Sequence, residues 1–411
     1  MICLSFAHLS LPVYLRGCTS LPQEIQNFFA AWPFTTIQPA REYPHGPSLT
    51  MGADAKGRAL YTVDAPWLPT HFQEDSLACA LCNLSIEMII AVCREHGLLC
   101  LHAAALRMGR HMPLLLGSNG AGKSSLAARL MANGHTGYGD DLVGMSGQGT
   151  ALSFGIAPRL RLPLPPSPTL AAFVHSCQGI SDARYCYLDP ASVALARHGE
   201  EKPVSHCILL QRRQGADARL RPLPPQTALL RLLPRYIMQC GEAAPLLQQA
   251  AALAGRLPVL LLRYDSVDAA AACLEQYLEL YAPIDHENAP CIALSEVRQA
   301  GTGHVPLPTG RGVRRRRPGK APARQRWQQR SGVRVLRHGR QLFLSAPAGS
   351  ALHRLNPLGQ AVWSLLESPL SMAEAAGLLA EAFPGTGRER IRKDTARLFQ
   401  DLCLAGLIVA V

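Results

Sequence analysis

The sequence predicts an α/β protein with two folded bodies, and three observations lead to this prediction. A complete phosphate-binding loop follows an apolar strand and precedes a helical pattern, as in α/β nucleotide-binding domains. Residues 331–411 show short strand patterns followed by three helical patterns, which predicts a small α+β domain. Between these regions, residues 284–330 lack hydrophobic periodicity and collect glycine, proline and arginine, which is typical of a linker.

The composition excludes wholesale disorder. Apolar residues make up 48% of the 411 residues and charged residues 17%, so most of the chain can bury a core. No window approaches 18 consecutive apolar residues, and the first residues lack the pattern of a secretory signal. We therefore expect no membrane span and a cytoplasmic location.

The net charge of +12 arises from one segment. Residues 311–340 contain twelve arginine or lysine residues and no acidic residue, so the remaining 29 basic residues balance the 29 acidic ones. The folded bodies are therefore close to neutral. A solvated arginine-rich linker binds polyanions weakly, and nucleic-acid binding through Arg314–Arg317 is the less favoured interpretation.

The 13 cysteines show no disulfide framework. Their number is odd and they are scattered, which favours reduced, buried thiols. Cys79 and Cys82 form a C-x-x-C motif, but a zinc site would need a second such pair. A buried helix face is the favoured interpretation of the motif, with metal or redox use as the alternative.

Residues 1–95 are expected to form a mixed N-terminal region. Short apolar runs broken by proline and glycine predict short strands up to residue 75. Apolar residues spaced three and four apart then predict a helix from Ser76 to Glu95, which Gly97 ends.

Residues 96–283 are expected to form the nucleotide-binding domain. Apolar runs at Leu98–Met108 and Met112–Leu116 predict two strands around a turn, and a helix is predicted from Lys123 to Ala132. Farther along, two more strands and a helix are predicted at 205–211, 258–264 and 245–254.

The segment from Gly117 to Ser124 satisfies the phosphate-loop pattern G-x-x-x-x-G-K-S/T completely. Its glycines let backbone N–H groups turn toward phosphate oxygens, and the loop ends at a helix N-terminus, which favours an anion. Lys123 can reach the β- and γ-phosphates, and the hydroxyl of Ser124 can bind Mg²⁺. The predicted nucleotide-binding residues are Gly117, Ser118, Asn119, Gly120, Ala121, Gly122, Lys123, Ser124 and Ser125.

Two adjacent carboxylates, Asp140 and Asp141, begin 17 residues after Lys123. At the end of a strand beside the loop, one could bind Mg²⁺ while the other accepts the proton of an attacking hydroxyl. The alternative is an ordinary acidic turn before the next apolar run. His102 lies in the strand before the loop and, taken alone, is more typical of a packed core histidine.

In order and spacing, these features resemble the catalytic core of the HPr serine kinase/phosphorylase family. The matching residues are His102, the loop Gly117–Ser124, the step Gly134-His135 and the pair Asp140-Asp141. The resemblance is specific over about residues 96–145 and weaker over 146–283.

The resemblance implies a phosphoenolpyruvate-carboxykinase-like P-loop kinase core that transfers phosphate from Mg-ATP to a serine hydroxyl. By the matched positions, Lys123 and Asp140 would be catalytic, with Asp140 the base near the acceptor hydroxyl. His102 would be the supporting partner of that base. Asp141 and Ser124 would hold the metal.

The chain departs from the family pattern at two places. Ser125 stands where the family usually has glutamate, and Pro158–Arg161 occupies the region of the family's glycine-containing signature segment. These departures argue against HPr as the substrate and weaken the reverse, phosphorylase reaction. The chain is more similar to the HPr-kinase-related branch that is associated with peptide-modification systems.

The C-terminal region carries a second resemblance. Three motifs, beginning at Leu355, Val362 and Leu402, together resemble the PqqD-like domain of ribosomal peptide biosynthesis. The resemblance implies a winged-helix-like fold that binds a leader peptide as an added β-strand, with an edge strand near Gln341–Leu344. The alternative is an ordinary winged-helix domain that binds DNA or only packs.

The sequence therefore predicts an ATP- and Mg²⁺-dependent kinase that phosphorylates a serine or threonine of a ribosomally made precursor peptide, captured by the C-terminal domain. A peptide-binding chaperone that binds nucleotide without transfer and a small-molecule kinase remain as alternatives. The expected partners are the leader peptide and other peptide-modification enzymes, and the sequence leaves open whether the chain forms a homo-oligomer.

Overall fold

The chain divides into two compact units. The computed structural model describes residues 1–38, 46–68, 70–232, 243–280, 295–296, 325–338, 341–347, 352–382, 385 and 387–411. The first unit is drawn from residues 1–240 and 252–292, and the second from 241–251 and 293–411. Most of the predicted linker, residues 284–330, lies outside the described residues, and its length and reach stay predictions.

A six-stranded sheet and two helices form the start of the first unit. The short strands agree with the broken apolar runs, whereas the helix at Gln23–Phe28 is not among the predicted elements. The elements are β1 (Ile2–Phe6), β2 (Val13–Arg16), α1 (Gln23–Phe28), β3 (Phe34–Ile37), β4 (Ser48–Ala53), β5 (Ala59–Asp64), β6 (Phe72–Glu74) and α2 (Leu77–Glu95). The strand order is β3-β1-β2-β4-β5-β6. This sheet and α2 share one apolar core that includes Trp32, Leu81 and Phe154, so the first 95 residues pack together with later parts of the first unit.

Helix α2 has the predicted bounds. Ser76 caps it, since its hydroxyl accepts a hydrogen bond from the backbone N–H of Cys79 at 3.2 Å. Among the described helices, α2 has the length and apolar composition to cross a membrane, but 78% of its most apolar 18-residue window is buried within the protein. Cys79 and Cys82 are both buried on it, which agrees with the helix-face interpretation of the C-x-x-C motif.

A buried histidine adds a pH-sensitive contact to this core. His198 stacks on Trp32 with ring centroids 4.5 Å apart, and its Nε2 lies 2.9 Å from Nδ1 of His8. Burial, and next the charge of His8, lower the pKa of His198 to about 4. The folded state therefore favours the neutral ring.

We expect the free energy of unfolding to decrease as the pH falls from about 6.5 to about 4. In this window an unfolded histidine binds a proton and folded His198 does not, so protonation favours unfolding, by up to about 3 kcal/mol. Urea unfolding followed by tryptophan fluorescence measures the effect. His198→Gln should flatten the pH dependence, and an unchanged slope in that variant would contradict the assignment.

The second part of the first unit is built around a mixed six-stranded sheet. Its elements are β7 (Leu99–Leu101), β8 (Ala103–Arg107), β9 (Pro113–Leu116), α3 (Lys123–Met131), β10 (Thr136–Gly139), β11 (Val143–Met145), β12 (Thr150–Leu152), β13 (Arg159–Arg161), α4 (Pro168–Ser176), β14 (Gln178–Ser181), β15 (Tyr185–Leu188), β16 (Glu201–Pro203), β17 (His206–Arg212), β18 (Arg219–Pro222), α5 (Pro225–Leu232), the last turn of α6 (Ala243–Arg256), β19 (Val259–Tyr264) and α7 (Val267–Leu280). The part of α6 up to residue 251 is assigned to the second unit. The strand order is β10-β8-β9-β17-β19-β18, with β9, β17 and β19 parallel.

Two smaller sheets flank this one. Their orders are β16-β12-β11-β7 and β13-β15-β14. The single strand predicted for Leu98–Met108 is divided into β7 and β8 at His102, and the two halves join different sheets.

Polar contacts fix α3 against α7. Arg129 pairs with Asp268 at 2.5 Å, and Nε2 of His135 lies 2.8 Å from Oε1 of Glu275. The step Gly134-His135 of the sequence resemblance therefore holds the end of α3 in place.

The second unit contains the strands and three helices predicted for the C-terminal region. Its elements are β20 (Ser295–Glu296), β21 (Arg326–Gln329), β22 (Arg334–His338), β23 (Gln341–Ser345), β24 (His353–Leu355), α8 (Pro357–Leu365), β25 (Leu370–Ser371), α9 (Met372–Ala382), α10 (Arg388–Leu404) and β26 (Ile408–Ala410). Two sheets form, in the orders β20-β22-β23-β24 and β25-β21-β26.

Helix capping in this unit follows the sequence signals. The side chain of Asn356 accepts a hydrogen bond from the backbone N–H of Gly359 at 2.7 Å at the start of α8. Ser371 and Glu374 exchange the two hydrogen bonds of a capping box at the start of α9, at 2.8 and 3.2 Å. We call the described residues from 325 to 411 the C-terminal body.

Two details differ from the sequence prediction. Strand β21 lies inside the predicted linker, yet it pairs with β26, so the folded C-terminal body begins near residue 325 and not at 331. Strand β23, the predicted edge strand, pairs with β22 on one side and β24 on the other. It is therefore an interior strand and offers no open backbone edge.

Candidate functional site

The register of the central sheet brings three chain segments to one edge. Ala103 at the start of β8 pairs with Leu116 at the end of β9, and Gly139 at the end of β10 pairs with Ala105. The residues that follow or precede these ends are therefore neighbours. They are His102, the loop from Gly117, and Asp140-Asp141, so the antiparallel pairing alone gathers the predicted site residues.

The phosphate loop turns with the backbone that its glycines allow. Gly120 and Gly122 have φ angles of +77° and +91°, in the left-handed region. A side chain at Gly122 would also collide with the hydroxyl of Tyr264. That hydroxyl donates a hydrogen bond to the backbone oxygen of Ala121, so Tyr264 at the end of β19 supports the loop from below.

Lys123 is the first residue of α3 and is 5% exposed. Its Nζ donates a hydrogen bond to the backbone oxygen of Gly117, 3.2 Å away, across the mouth of the loop. The ammonium group thus lies over the site where the loop N–H groups and the helix N-terminus favour a phosphate.

Asp140 is buried behind the loop, with 4% exposure. Its Oδ2 accepts a hydrogen bond from the backbone N–H of Arg159 at 3.1 Å, and the hydroxyl of Ser124 favours its charged form. Burial, and next the negative charge of Asp141, raise its pKa to about 7. Its Oδ1 is buried without a hydrogen-bond partner among the described residues.

Asp141 has different surroundings. It adopts a φ of +61°, which aspartate tolerates better than most residues. Its Oδ2 pairs with the guanidinium of Arg159 at 2.9 Å, and its Oδ1 lies 4.0 Å from Nε2 of His102. Because β11 pairs with β7, the residues just before β11 and just after β7 face each other, which explains the approach of Asp141 to His102.

These residues surround a cleft of about 730 Å³, a size that suits a nucleotide-sized ligand. The predicted site residues that line it are His102, Asn119, Gly120, Gly122, Lys123, Ser124, Ser125 and Asp141. Four predicted site residues do not line it: Gly117, Ala121 and Asp140, which are buried, and Ser118, which is exposed. His135 does not line it either.

The cleft also contains charged residues that the sequence reasoning did not select. Arg161 and Arg212 line it together with Arg159, so cationic groups prevail around the loop. Arg212 and Tyr264 end the parallel strands β17 and β19, next to the end of β9. Because ligands of open α/β sheets bind at the carboxyl ends of parallel strands, the position of Arg212 and Tyr264 at the ends of two predicted strands was the signal available in the sequence.

The oxygen donors at this edge suit a hard divalent cation. Ser124 supplies a hydroxyl beside the buried, incompletely hydrogen-bonded carboxylate of Asp140, and Asp141 supplies a second carboxylate. Mg²⁺ prefers such ligands and usually binds through one or two carboxylates together with substrate phosphates. The residues present therefore fit Mg²⁺ bound with a nucleotide.

Comparison with known proteins gives one family assignment. Residues 341–408 match the family described as coenzyme PQQ synthesis protein D (PqqD). The C-terminal body contains a PqqD domain. The match spans β23 to β26, including the three helices α8, α9 and α10.

One solved structure that resembles the chain is the Hpr(Ser) kinase/phosphatase from Coxiella burnetii, with 14% sequence identity over 44% of this chain and 93% of that chain. The TM-score is 0.25, too low to establish a shared fold. No curated protein matches the chain with statistical significance.

Proposed function

We propose that the protein is an ATP- and Mg²⁺-dependent kinase that phosphorylates a serine or threonine hydroxyl of a precursor peptide held by its PqqD domain. The observation that carries the proposal is the convergence of a complete phosphate loop, the carboxylate of Asp141 and the imidazole of His102 on one cleft, with the buried carboxylate of Asp140 next to Asp141 in the chain. The PqqD match on the same chain supports a peptide as the acceptor.

The residues of the cleft suit phosphoryl transfer, which depends on positioning and charge stabilisation. The loop N–H groups and the start of α3 would hold the phosphates, and Lys123 would balance the charge on the transferred group. Mg²⁺, held by Ser124 and a carboxylate, would neutralise phosphate charge when bound. Arg212 lies at the loop end of the cleft and would add a further positive charge near the nucleotide.

The C-terminal body would supply capture. In the sheet β20-β22-β23-β24, β24 pairs with β23 alone among the described residues, while the outer side of β22 is paired with β20. The other side of β24 has no strand partner among the described residues, which suits the addition of an extended peptide as a further strand, although the backbone oxygen of Leu355 accepts a hydrogen bond from Nε2 of Gln360 at 3.3 Å. The predicted edge near Gln341–Leu344 is thereby replaced by His353–Leu355.

Tethering would then raise the concentration of the acceptor hydroxyl at the kinase cleft, to about the mM range for a short flexible linker. We further propose a cytoplasmic location, because the described cysteines are free and such thiols suit a reducing compartment. Other peptide-modification enzymes would act on the same captured peptide.

One specific observation favours a second function. Ser125 lines the cleft at the position where the resemblance would have a glutamate. A protein that lacks this carboxylate could bind nucleotide and peptide without transferring phosphate, which would make it a peptide-binding chaperone.

The decisive experiment mixes the purified full chain with Mg-ATP and, one at a time, candidate precursor peptides encoded by genes near its own. We expect a gain of one phosphate on a serine or threonine, located by mass spectrometry. ATP without acceptor, and the same peptide with its hydroxyl residues changed to alanine, are the controls. Binding of both ligands without any phosphorylated product would favour the chaperone, and phosphorylation of a small hydroxyl compound alone would favour a small-molecule kinase.

A further inference from the structure

We infer that Asp140 holds the divalent cation together with Ser124, and that Asp141 faces the acceptor hydroxyl with His102 beside it. This division of roles is the reverse of the one that the sequence resemblance implies. The inference rests on the proposed function, since it concerns the same cleft. Three observations support it: the solvent exposure of each carboxylate, its hydrogen bonds, and the side chains that contact it.

The two carboxylates differ in their exposure to the cleft. The side chain of Asp141 is 25% exposed and lines the cleft, whereas Asp140 is buried and absent from its wall. An acceptor hydroxyl is carried by a bulky molecule that must enter through the cleft. In the cleft it therefore reaches Asp141, whereas Asp140 borders a second, water-sized cavity of about 10 Å³ that Asp141 also lines.

Hydrogen bonding assigns the cation to Asp140. Its carboxylate lies beside the hydroxyl of Ser124, the loop residue next to the bound phosphates in the proposed complex. Its Oδ1 is buried with no hydrogen-bond partner among the described residues, which costs free energy unless a ligand satisfies it. A cation bound between Ser124 and Asp140 would satisfy this oxygen and touch the phosphates at once.

The residues that contact Asp141 orient its carboxylate toward the cleft, as a role at the acceptor hydroxyl requires. Arg159 binds Oδ2 at 2.9 Å and stacks on the ring of Tyr185 at 4.6 Å, so the carboxylate is held in one orientation. Oδ1 is left on the side of His102, 4.0 Å from its Nε2. Both His102 and Asp141 line the cleft, so this side of the carboxylate faces the space that an acceptor would enter.

With Asp140 on the cation and Asp141 at the acceptor hydroxyl, the transfer of the phosphoryl group proceeds as follows. The acceptor oxygen forms a bond to the γ-phosphorus of ATP while the bond from that phosphorus to the β–γ bridging oxygen breaks, which releases ADP. The hydroxyl proton passes to the Asp141 carboxylate. Arg159 would act as a positioning residue, since it contacts Asp141 and not the reacting atoms.

The test compares Asp140→Asn with Asp141→Asn by two measurements. Calorimetric titration of ADP with and without Mg²⁺ reports cation binding, and phosphate incorporation into the precursor peptide reports transfer. We expect Asp140→Asn to lose at least about tenfold of the Mg²⁺-dependent gain in ADP affinity. We expect Asp141→Asn to keep that gain and to lose transfer by about 100-fold or more.

Controls guard against misfolding. Ser124→Ala keeps both carboxylates and should weaken the Mg²⁺-dependent gain as Asp140→Asn does. Asp217→Asn, at an exposed aspartate paired only with Arg219, is the matched control and should change neither measurement. Thermal melting of each variant shows whether it is folded.

The opposite result, in which Asp141→Asn loses the Mg²⁺-dependent gain and Asp140→Asn keeps it, would overturn the inference. A wild-type chain that binds Mg-ADP but phosphorylates no peptide would refute the proposed function alone, because the order of the variants in calorimetry still decides which carboxylate holds the cation. If the ADP affinity of the wild-type chain does not depend on Mg²⁺, both the proposed function and this inference are refuted.

Discussion

Lys123→Met is expected to reduce phosphoryl transfer by about 100-fold or more while the protein stays folded. The lysine is buried, and its ammonium group reaches across the loop to the backbone oxygen of Gly117. In the proposed reaction this charge would balance the transferring phosphate, so its loss would raise the barrier of the chemical step. Methionine preserves most of the length and apolar volume of the side chain, which alanine would not at a position with 5% exposure.

Three measurements separate this effect from unfolding. Initial rates of phosphate incorporation give the loss of transfer, thermal melting gives the stability, and calorimetry gives the affinity of the C-terminal body for the peptide. Lys123→Arg serves as the partner variant, because it keeps the charge but changes its geometry, and it should recover only part of the activity. Wild-type rates in Lys123→Met would show that the phosphate loop does not perform the transfer.

The sequence predicted most of the elements around the site because their signals are local. The apolar run of β9, the glycines of the loop and the pattern of α3 stand next to one another in the chain, so each constrains its neighbour. The caps at Asn356 and Ser371 were also readable, since a capping hydrogen bond spans three residues.

The sequence does not predict which strands pair when they are far apart along the chain. The strand predicted from Leu98 to Met108 is interrupted at His102 because its two halves pair with β11 and β9 in different sheets. The same long-range pairing places Asp141 beside His102 and Asp140 beside Ser124, a distinction that spacing along the chain does not contain. The sequence therefore identifies Asp140 and Asp141 as a pair of carboxylates, but it does not show which of them binds the cation and which accepts the proton.

The edge strand of the C-terminal body illustrates the same limit. The strand at Gln341–Leu344 is predicted from a short apolar run after the His338-Gly339 turn, but whether a strand is interior or peripheral depends on its partners. Both strands that pair with β23 lie within twenty residues of it. Among the described strands of this sheet, β24 therefore lies at an edge, where a peptide strand could be added.

Removing residues 325–411 is expected to raise the KM for the full precursor peptide by about 100-fold, with little change in kcat for a leaderless core peptide. The C-terminal body has its own apolar core, built around Leu344, Trp363 and Leu402, so the truncation removes a whole folded body. It also leaves the cleft residues intact. Capture affects ground-state binding and not the chemical step, and the two peptides therefore respond differently.

The truncation begins at residue 325, because a cut at 331 would leave β21 behind without its partner strands β25 and β26. The cut at 325 leaves the two-residue strand β20 without its partner β22. Adding the separate C-terminal body to the intact enzyme provides the converse test. If it binds the leader, it competes for the full precursor and slows its phosphorylation, but it leaves the leaderless peptide unaffected. Equal responses of the two peptides, in the truncation and in the competition alike, would remove the case for capture. The cleft would then have to select its acceptor unaided, which is the behaviour expected of a small-molecule kinase.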